Sequence, residues 1–322
     1  DIELWGAFYS GYFYDLSSFN VASGATAILD ATMRESGGAV NFTKTGPGTL
    51  TVRAPNQMTG SFTVSGGTTN ISSVGNLSSG TLTVNNGATL ANSGILELNN
   101  RTVNVTGSGS TLSSVNFIEF GDVGNVTVNL TSGGTISSQS SVALGVNSGV
   151  TGTATISGSG STLSSGAQLH VGYYGTGNLT VESGGRVTPG TILELGAYAG
   201  ATGTVNLNSG GTLAVGGTNG IVKGAGTANL NLGGGTIEVT GSALTTSVPA
   251  NLVSGTTSTV NTNGLNATLS GALSGAGGLA KSGSGTLTLP NANTYSGGTT
   301  VNAGTLLLGN NASLGATSGS LL

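Results

Sequence analysis

Residues 151–207 read TGTATISGSGSTLSSGAQLHVGYYGTGNLTVESGGRVTPGTILELGAYAGATGTVNL, and this stretch decides the fold. In it, apolar residues alternate with Thr, Asn or Ser in short segments such as Ala154/Ile156 and Leu179/Val181. Alternation with a period of two predicts a β-strand with one buried face. Glycine-rich corners, among them 183–185 and 196–203, separate the segments and predict turns between short strands.

The same pattern extends over residues 102–239 at a nearly constant interval. Its apolar pairs are Val103/Val105, Val128/Leu130, Ala154/Ile156, Leu179/Val181, Val205/Leu207 and Leu230/Leu232, and the numbering advances from pair to pair by 25, 26, 25, 26 and 25. Each interval contains three short apolar segments, which predicts one turn of a solenoid with three strands. Stacked at the inter-strand spacing of about 4.8 Å, the whole chain would form roughly 12 or 13 turns and a rod about 60 Å long.

We therefore predict an all-β fold, a right-handed single-stranded parallel β-helix (β-solenoid) with about 25 residues and three strands per turn. The right hand follows from the usual crossover preference of parallel strands. A Greek-key sandwich also has short strands and glycine turns, but it gives no reason for a constant step. A single turn buries too little apolar surface to offset the ordering of its backbone, so neighbouring turns must stabilise one another.

The composition supports this prediction. Gly, Thr, Ser and Asn number 60, 48, 41 and 30 of the 322 residues, a mixture that disfavours long helices. The mean hydropathy of +0.20 and the net charge of −4 argue against disorder. Seven Lys and Arg residues leave no basic face for nucleic acid, and the absence of Cys excludes disulfides and thiol chemistry. No apolar run approaches the ~18 residues of a transmembrane helix.

The sequences on both sides of the regular block follow a different pattern. Residues 281–289 read KSGSGTLTL and are followed by NANTYSGGTTV at 291–301 and GTLLLG at 304–309. This sequence resembles the autotransporter-associated β-strand repeat of bacterial type V secretion passengers. Residues 44–71, which begin KTGPGTLTV, resemble a looser copy with Met58 at the tyrosine position. The regular middle block resembles the short β-helical repeat of such passengers.

The resemblance implies a parallel β-helix exported from a bacterium, to the extracellular space or the cell surface. We divide the chain into four segments: an N-terminal cap or docking segment at 1–40, solenoid turns with the looser repeat at 41–101, the regular block at 102–240, and C-terminal turns with the second repeat at 241–322. The expected function is that of a non-catalytic structural or adhesive rod. Self-association, other surface proteins or a glycan are the expected partners, and neither a metal nor a cofactor is expected.

The N-terminal segment is unusually aromatic. Residues 1–20 contain seven of the 15 aromatic residues of the chain: Trp5, Phe8, Tyr9, Tyr12, Phe13, Tyr14 and Phe19. One interpretation is a cap over the open end of the solenoid, because terminal repeats are normally atypical. The other is a docking strand that pairs with another subunit, since an uncapped solenoid end is a strand edge that can assemble head-to-tail into fibres.

Aligned turns bring two groups of residues together. Glu119, Ala143, His170 and Glu194 fall at one outward position of successive turns, so His170 and Glu194 form either an acid–base pair for a polysaccharide-degrading enzyme or a surface charge ladder. Tyr174 and Tyr198 also align one turn apart, beside Tyr173, and form either a glycan-binding patch or a stabilising ladder. The four Asp residues are scattered, which is unlike the clustered carboxylates of pectin-lyase-type enzymes.

Overall fold

The computed structural model describes residues 12–53, 57–71 and 80–316 in full and residues 2–9 by their backbone. Within these residues it contains 37 β-strands and no helix. In chain order the strands are β1 (Ile2–Tyr9), β2 (Tyr12–Val21), β3 (Thr26–Leu29), β4 (Thr32–Arg34), β5 (Phe42–Thr45), β6 (Thr49–Val52), β7 (Phe62–Val64), β8 (Thr68–Ile71), β9 (Leu82–Val84), β10 (Thr89–Asn92), β11 (Leu96–Leu98), β12 (Arg101–Thr106), β13 (Thr111–Ser114), β14 (Ile118–Phe120), β15 (Val126–Thr131), β16 (Thr135–Ser138), β17 (Val142–Leu144), β18 (Thr151–Ile156), β19 (Thr162–Ser165), β20 (Leu169–Val171), β21 (Thr176–Val181), β22 (Arg186–Thr188), β23 (Leu193–Leu195), β24 (Thr202–Asn208), β25 (Thr212–Val215), β26 (Ile221–Lys223), β27 (Thr227–Gly233), β28 (Thr236–Val239), β29 (Leu244–Thr246), β30 (Ala250–Leu252), β31 (Thr257–Asn261), β32 (Ala267–Leu269), β33 (Leu273–Gly275), β34 (Gly278–Ser282), β35 (Thr286–Leu289), β36 (Thr299–Val301) and β37 (Thr305–Leu308).

The strands form three long sheets that run along a solenoid of about 12 turns. Sheet A has the order β1-β2-β5-β7-β9-β12-β15-β18-β21-β24-β27-β30-β33, with β4 also pairing with β2. Sheet B has the order β3-β6-β8-β10-β13-β16-β19-β22-β25-β28-β31-β34-β36, and sheet C has the order β11-β14-β17-β20-β23-β26-β29-β32-β35-β37. One turn of the middle block, such as β18–β19–β20, therefore contributes one strand to each sheet, which confirms the predicted β-solenoid with three strands per turn.

The predicted register is also confirmed. In sheet A, Val103 pairs with Val128, Val128 with Ala154, Ala154 with Leu179, Leu179 with Val205 and Val205 with Leu230, all in parallel. The steps outside the middle block vary. Phe42 pairs with Phe62 and Leu230 with Ala250, so the numbering advances by only 20 in each case, whereas Ser18 pairs with Thr43, a step of 25. The regular alternation of 25 and 26 in sheet A therefore belongs to the middle block and not to the whole rod.

The core lies between the three sheets and is filled by the inward side chains of every strand. Buried residues alternate with partly exposed residues along the strands, as in β12, where Val103 and Val105 are buried and Asn104 between them is not. Burial of each such Val, Leu or Ile contributes about 1.5–3 kcal/mol, and each turn supplies several. The buried side chains form one continuous cluster from Leu16 to Tyr295, so the turns share a single core.

Two lysines also point into this core. Lys44 on β5 and Lys281 on β34 are both fully buried. The Lys44 ammonium donates to the carbonyl oxygens of Gly46, Gly48 and Gly66 at 2.6–2.7 Å. Burial lowers the pKa of both ammonium groups, because leaving water penalises the charged form. The carbonyl oxygens offset that penalty for Lys44 at the point where the chain turns.

The N-terminal residues form a hairpin at one end of sheet A. Strands β1 and β2 pair antiparallel, with Ile2 opposite Val21 and Tyr9 opposite Tyr12, and β2 then pairs in parallel with β4 and β5. The hairpin thus continues the sheet beyond the first parallel strands, and its core-facing residue Phe19 is buried.

Candidate functional site on sheet C

Sheet C brings together the residues that the sequence placed at one outward position. Glu119 pairs with Ala143, Ala143 with His170, and His170 with Glu194 on strands β14, β17, β20 and β23. The predicted alignment is therefore confirmed, and His170 Nδ1 lies 2.8 Å from Glu194 Oε2. Glu97 on β11 extends the row by one further turn.

The interpretation of this row as an exposed charge ladder is wrong, because His170 is only 5% exposed and Ala143 is fully buried. The Phe117 ring stacks on the imidazole at 6.4 Å, and the Tyr173 ring meets it edge-on at 4.8 Å. Burial lowers the pKa of His170, while the Glu194 carboxylate partly opposes that effect. The neutral imidazole is thus the form that this environment favours.

Glu119 lies in a second perturbed environment on the same row. Burial, followed by repulsion from Asp122 and Glu97, raises its pKa to about 7. Asp122 accepts a hydrogen bond from Asn147 at 2.5 Å in the adjoining corner. Glu119 is separated from His170 by the turn that carries Ala143, a distance of about 10 Å along the axis, so the two groups do not form one acid–base pair.

The three predicted tyrosines form one cluster at the corner that follows sheet C. The Tyr174 and Tyr198 rings stack at 4.1 Å with an interplanar angle of 11°. The Tyr173 ring meets both edge-on at 5.0 Å, and its hydroxyl lies 3.4 Å from that of Tyr198. Tyr174 and Tyr198 remain 43% and 40% exposed. The two stacked rings therefore keep exposed surface that can contact a ligand, although they contact each other and Tyr173.

The N-terminal aromatic set divides into two groups. Phe19 belongs to the core, whereas Tyr12, Phe13 and Tyr14 are half-buried on the hairpin. Arg34 caps the Tyr12 ring, with its guanidinium carbon 3.7 Å from the ring centroid. The side chains of Trp5, Phe8 and Tyr9 lie outside the described residues. The structure therefore brings the half-buried members together on β2, where Tyr12 contacts Arg34 of β4.

Sequence reasoning missed two features of this region. Phe117 lies just before β14, and its position beside the outward row gave no sign that its ring would stack on that of His170, two turns away. The repeat pattern alone does not identify the two lysines as buried. The available signal is that Lys44 lies two residues after the core residue Phe42 on β5, and alternate residues of a strand share a face.

The described part of the chain holds no cluster of three or more acidic or His residues that could bind a metal ion. Nor do the residues that the structure describes include a helix with the length and hydrophobicity needed to cross a membrane.

Comparison with known proteins gives a consistent assignment. Residues 42–71 and 279–308 match the passenger-associated-transport-repeat, and each match contains one of the two buried lysines. The adhesin BmaC autotransporter of Brucella suis biovar 1 (strain 1330) is 32% identical over 294 residues, which cover 86% of this chain and 7% of that protein. No solved structure matches the chain. The two repeat matches and this similarity support an autotransporter passenger-type β-solenoid and indicate an exported, cell-surface protein.

Proposed function

We propose that this chain is a section of an adhesive rod, which holds contact surfaces away from the bacterial cell and takes part in adhesion. The proposal is supported by the similarity to a protein named as an adhesin and by the register that continues through sheets A, B and C. A shared dry core and unbroken backbone ladders make such a rod stiff, because bending must distort several turns at once. The continuous register is the observation that carries the proposal.

Adhesion is tested with beads coated with the purified chain and counted on cultured epithelial cells. The matched control is Leu179→Asp/Val205→Asp, which places two carboxylates in the core and removes the solenoid without changing chain length. We expect the wild-type chain to retain several times more beads than the control variant. Equal retention by wild type, control and albumin-coated beads would contradict an adhesive role.

A second, finer proposal is that the tyrosine cluster contributes a glycan contact. It is supported by two stacked rings, 40% and 43% exposed, at a corner of the rod. Tyr174→Ala and Tyr198→Ala should each lower binding on a glycan array, while Val123→Ala, which truncates a 73% exposed apolar residue at a neighbouring corner, should not. Unchanged array binding in both tyrosine variants would remove this proposal.

A third proposal concerns self-assembly through the N-terminal aromatic segment. It is supported by the position of β1, which is the first strand in the order of sheet A. Among the described strands it pairs with β2 and is therefore an edge strand. An edge strand offers unpaired backbone groups to another chain. Removal of residues 1–9, which leaves β2 and its core residues in place, should abolish filaments seen by negative-stain microscopy. Filaments that persist would show that another surface drives assembly.

A further inference from the structure

The outward face of sheet A carries an unbroken row of hydrogen-bonding side chains. The row follows the parallel register from β2 to β33, one residue per turn, and every member is Ser, Thr or Asn: Ser18, Thr43, Thr63, Thr83, Asn104, Asn129, Thr155, Thr180, Asn206, Asn231, Asn251 and Ser274. At about 4.8 Å per turn the row extends for roughly 50 Å.

Two more rows run beside it through β18, β21, β24 and β27. One contains Thr151, Thr176, Thr202 and Thr227, and the other contains Thr153, Asn178, Thr204 and Asn229. With the central row they form a grid of twelve Thr and Asn side chains. Its spacing is about 4.8 Å along the axis and about 6.6 Å along each strand, because alternate residues share a face.

Hydrogen bonds between turns hold parts of this grid in fixed orientations. The Asn229 amide donates to the Thr204 hydroxyl at 3.2 Å, and the Asn231 amide donates to Asn206 Oδ1 at 2.8 Å. Each of these amides keeps a second N–H for an external partner. Groups fixed in this way lose little side-chain entropy when a ligand binds.

The strands of this face carry no charged outward side chain, and Glu182, just beyond the end of β21, accepts a hydrogen bond from the Asn208 amide at 3.1 Å. From β5 to β33, the outward positions of the described sheet A strands hold no Asp, Glu, Lys or Arg. Sheet B by contrast presents Arg186 and Glu238, and sheet C presents Glu119 and Glu194. Towards the C-terminal end, a shallow cavity of about 160 Å³ opens on the sheet A face between Asn229, Asn231, Pro249 and Ser274.

We propose that this face of sheet A binds an extended neutral polysaccharide that lies along the rod. This inference rests on the adhesive function proposed above and names a ligand class and a surface for it. Thr hydroxyls and Asn amides both donate and accept, as sugar hydroxyls do, and an uncharged face offers no attraction to a charged polymer. A sugar ring in an extended chain is about as long as one turn is high, so successive rings meet successive turns.

Each hydrogen bond to a sugar contributes little, so a measurable affinity requires many of these bonds at once. A net hydrogen bond contributes about 0.5–1.5 kcal/mol, and binding therefore requires many turns to be engaged together. Affinity should rise steeply with the length of the saccharide, and single sugars should not bind measurably.

The test measures binding of the full chain to the extended, β-1,4-linked neutral polymers mannan and xylan, with dextran and amylose as coiled neutral polymers and heparin and polygalacturonate as charged comparators. Thr155→Lys/Thr180→Lys places two cations on adjacent turns of the sheet A grid. The matched control, Ser137→Lys/Ser164→Lys, makes the same change at registered outward positions of sheet B. Thr155→Val/Thr180→Val removes the two hydroxyls without adding charge. Circular dichroism and thermal melting establish that each variant is folded.

We expect at least one neutral polymer to bind, its decamer to bind more tightly than its dimer, and the sheet A variants to weaken binding by about tenfold or more. The sheet B control should stay within twofold of wild type. Equal binding by sheet A and sheet B variants, binding limited to the charged polymers, or loss of binding only in Tyr174→Ala would each overturn the proposal. A chain that retains beads on cells but binds no neutral polymer would also overturn it, while leaving the adhesive function intact. If the chain shaped growing ice crystals and bound no polysaccharide, the ligand of this face would be ordered water, and the polysaccharide proposal would be wrong.

Discussion

The Lys44 ammonium joins two turns of the solenoid by donating to the carbonyl oxygen of Gly66, at a distance of 2.6 Å. It also donates to Gly46 and Gly48 in its own turn. All three acceptors are main-chain carbonyl oxygens, so backbone dipoles stabilise the cation in these contacts. A charge in the core is costly unless such partners are present, so a shift of either turn that removed these carbonyl oxygens would leave the ammonium without compensation.

Lys281 repeats the arrangement at the other end of the rod. Its ammonium donates to Gly283 in its own turn at 2.7 Å, to Ala303 in the following turn at 3.0 Å and to the Thr262 hydroxyl in the preceding turn at 3.0 Å. Gly66 and Ala303 both lie 22 residues after their lysine. The two passenger-associated-transport repeats thus share a lysine that fastens consecutive turns to one another.

Lys44→Met and Lys281→Met should each destabilise the solenoid by about 2–4 kcal/mol, because buried carbonyl oxygens lose their donor. The loss should be local, with faster amide hydrogen exchange in residues 42–71 for the first variant and in 279–308 for the second. Lys223→Met, at an exposed lysine of β26, is the control and should change exchange in neither region. Uniform exchange changes along the rod, or none, would contradict the role of the buried lysines.

Gly145→Ala should destabilise the middle block by more than about 3 kcal/mol. Gly145 has φ +65°, and an added Cβ would lie 2.2 Å from the Thr176 carbonyl oxygen in the next turn. Gly149 has φ +80° with no atom within 4 Å of an added Cβ, so Gly149→Ala should cost only about 1–2 kcal/mol for the left-handed conformation. Urea unfolding of both variants separates the steric cost of the close backbone contact from the cost of the left-handed conformation. Equal losses in the free energy of unfolding would show that the close contact at Gly145 adds no cost of its own.

Glu119→Gln should remove a pH dependence of stability between pH 4.5 and pH 8. The folded-state pKa of about 7 lies above the ordinary value of 4.5, so the favourable contribution of Glu119 is present below pH 4.5 and is lost as pH rises through 7. Near pH 8 the variant should be more stable than wild type by on the order of 1 kcal/mol, a figure reduced for the partial exposure of the group. Melting temperatures measured at pH 5 and pH 8 test this, and a variant with the wild-type pH profile would refute it.

Arg186 and Glu238 form an ion pair that spans two turns. The guanidinium donates to both carboxylate oxygens at 2.8 and 3.3 Å, and Ala214 of the turn between them is buried. The Arg186 hydrogen bonds lower the pKa of Glu238. Because both groups are partly exposed, a double-mutant cycle with Arg186→Ala and Glu238→Ala should give a coupling of about 0.5–1 kcal/mol that falls in 1 M salt. Zero coupling at low salt would contradict a stabilising pair.

The fold could be predicted from the sequence because one repeated pattern encodes strand, core and register together. The apolar pair Leu179/Val181 recurs one turn later as Val205/Leu207, and those residues pair as the interval requires. The stacking of Tyr174 on Tyr198 follows from the same alignment. Neighbours along the axis of a solenoid can thus be identified from residue numbers alone.

Lateral packing was harder to predict. The imidazole of His170 has aromatic neighbours from two turns, since the Phe117 ring stacks on it at 6.4 Å from two turns earlier and the Tyr173 ring meets it at 4.8 Å. The repeat interval predicts which residues align along the axis, but it does not predict which side chains from other positions contact them. The inward lysines were missed for a different reason, since a cation is normally assigned to the surface unless a set of carbonyl partners is known.

The most direct test of the stacked-turn architecture is a pair of distances along the central row of sheet A. Spin labels at Asn104→Cys and Asn206→Cys are four turns apart, and labels at Asn104→Cys and Asn251→Cys are six turns apart. Double electron–electron resonance should give about 19 Å and about 29 Å, since each turn rises about 4.8 Å. Distances that do not increase by about 10 Å between the two pairs would contradict the solenoid and every proposal that depends on it.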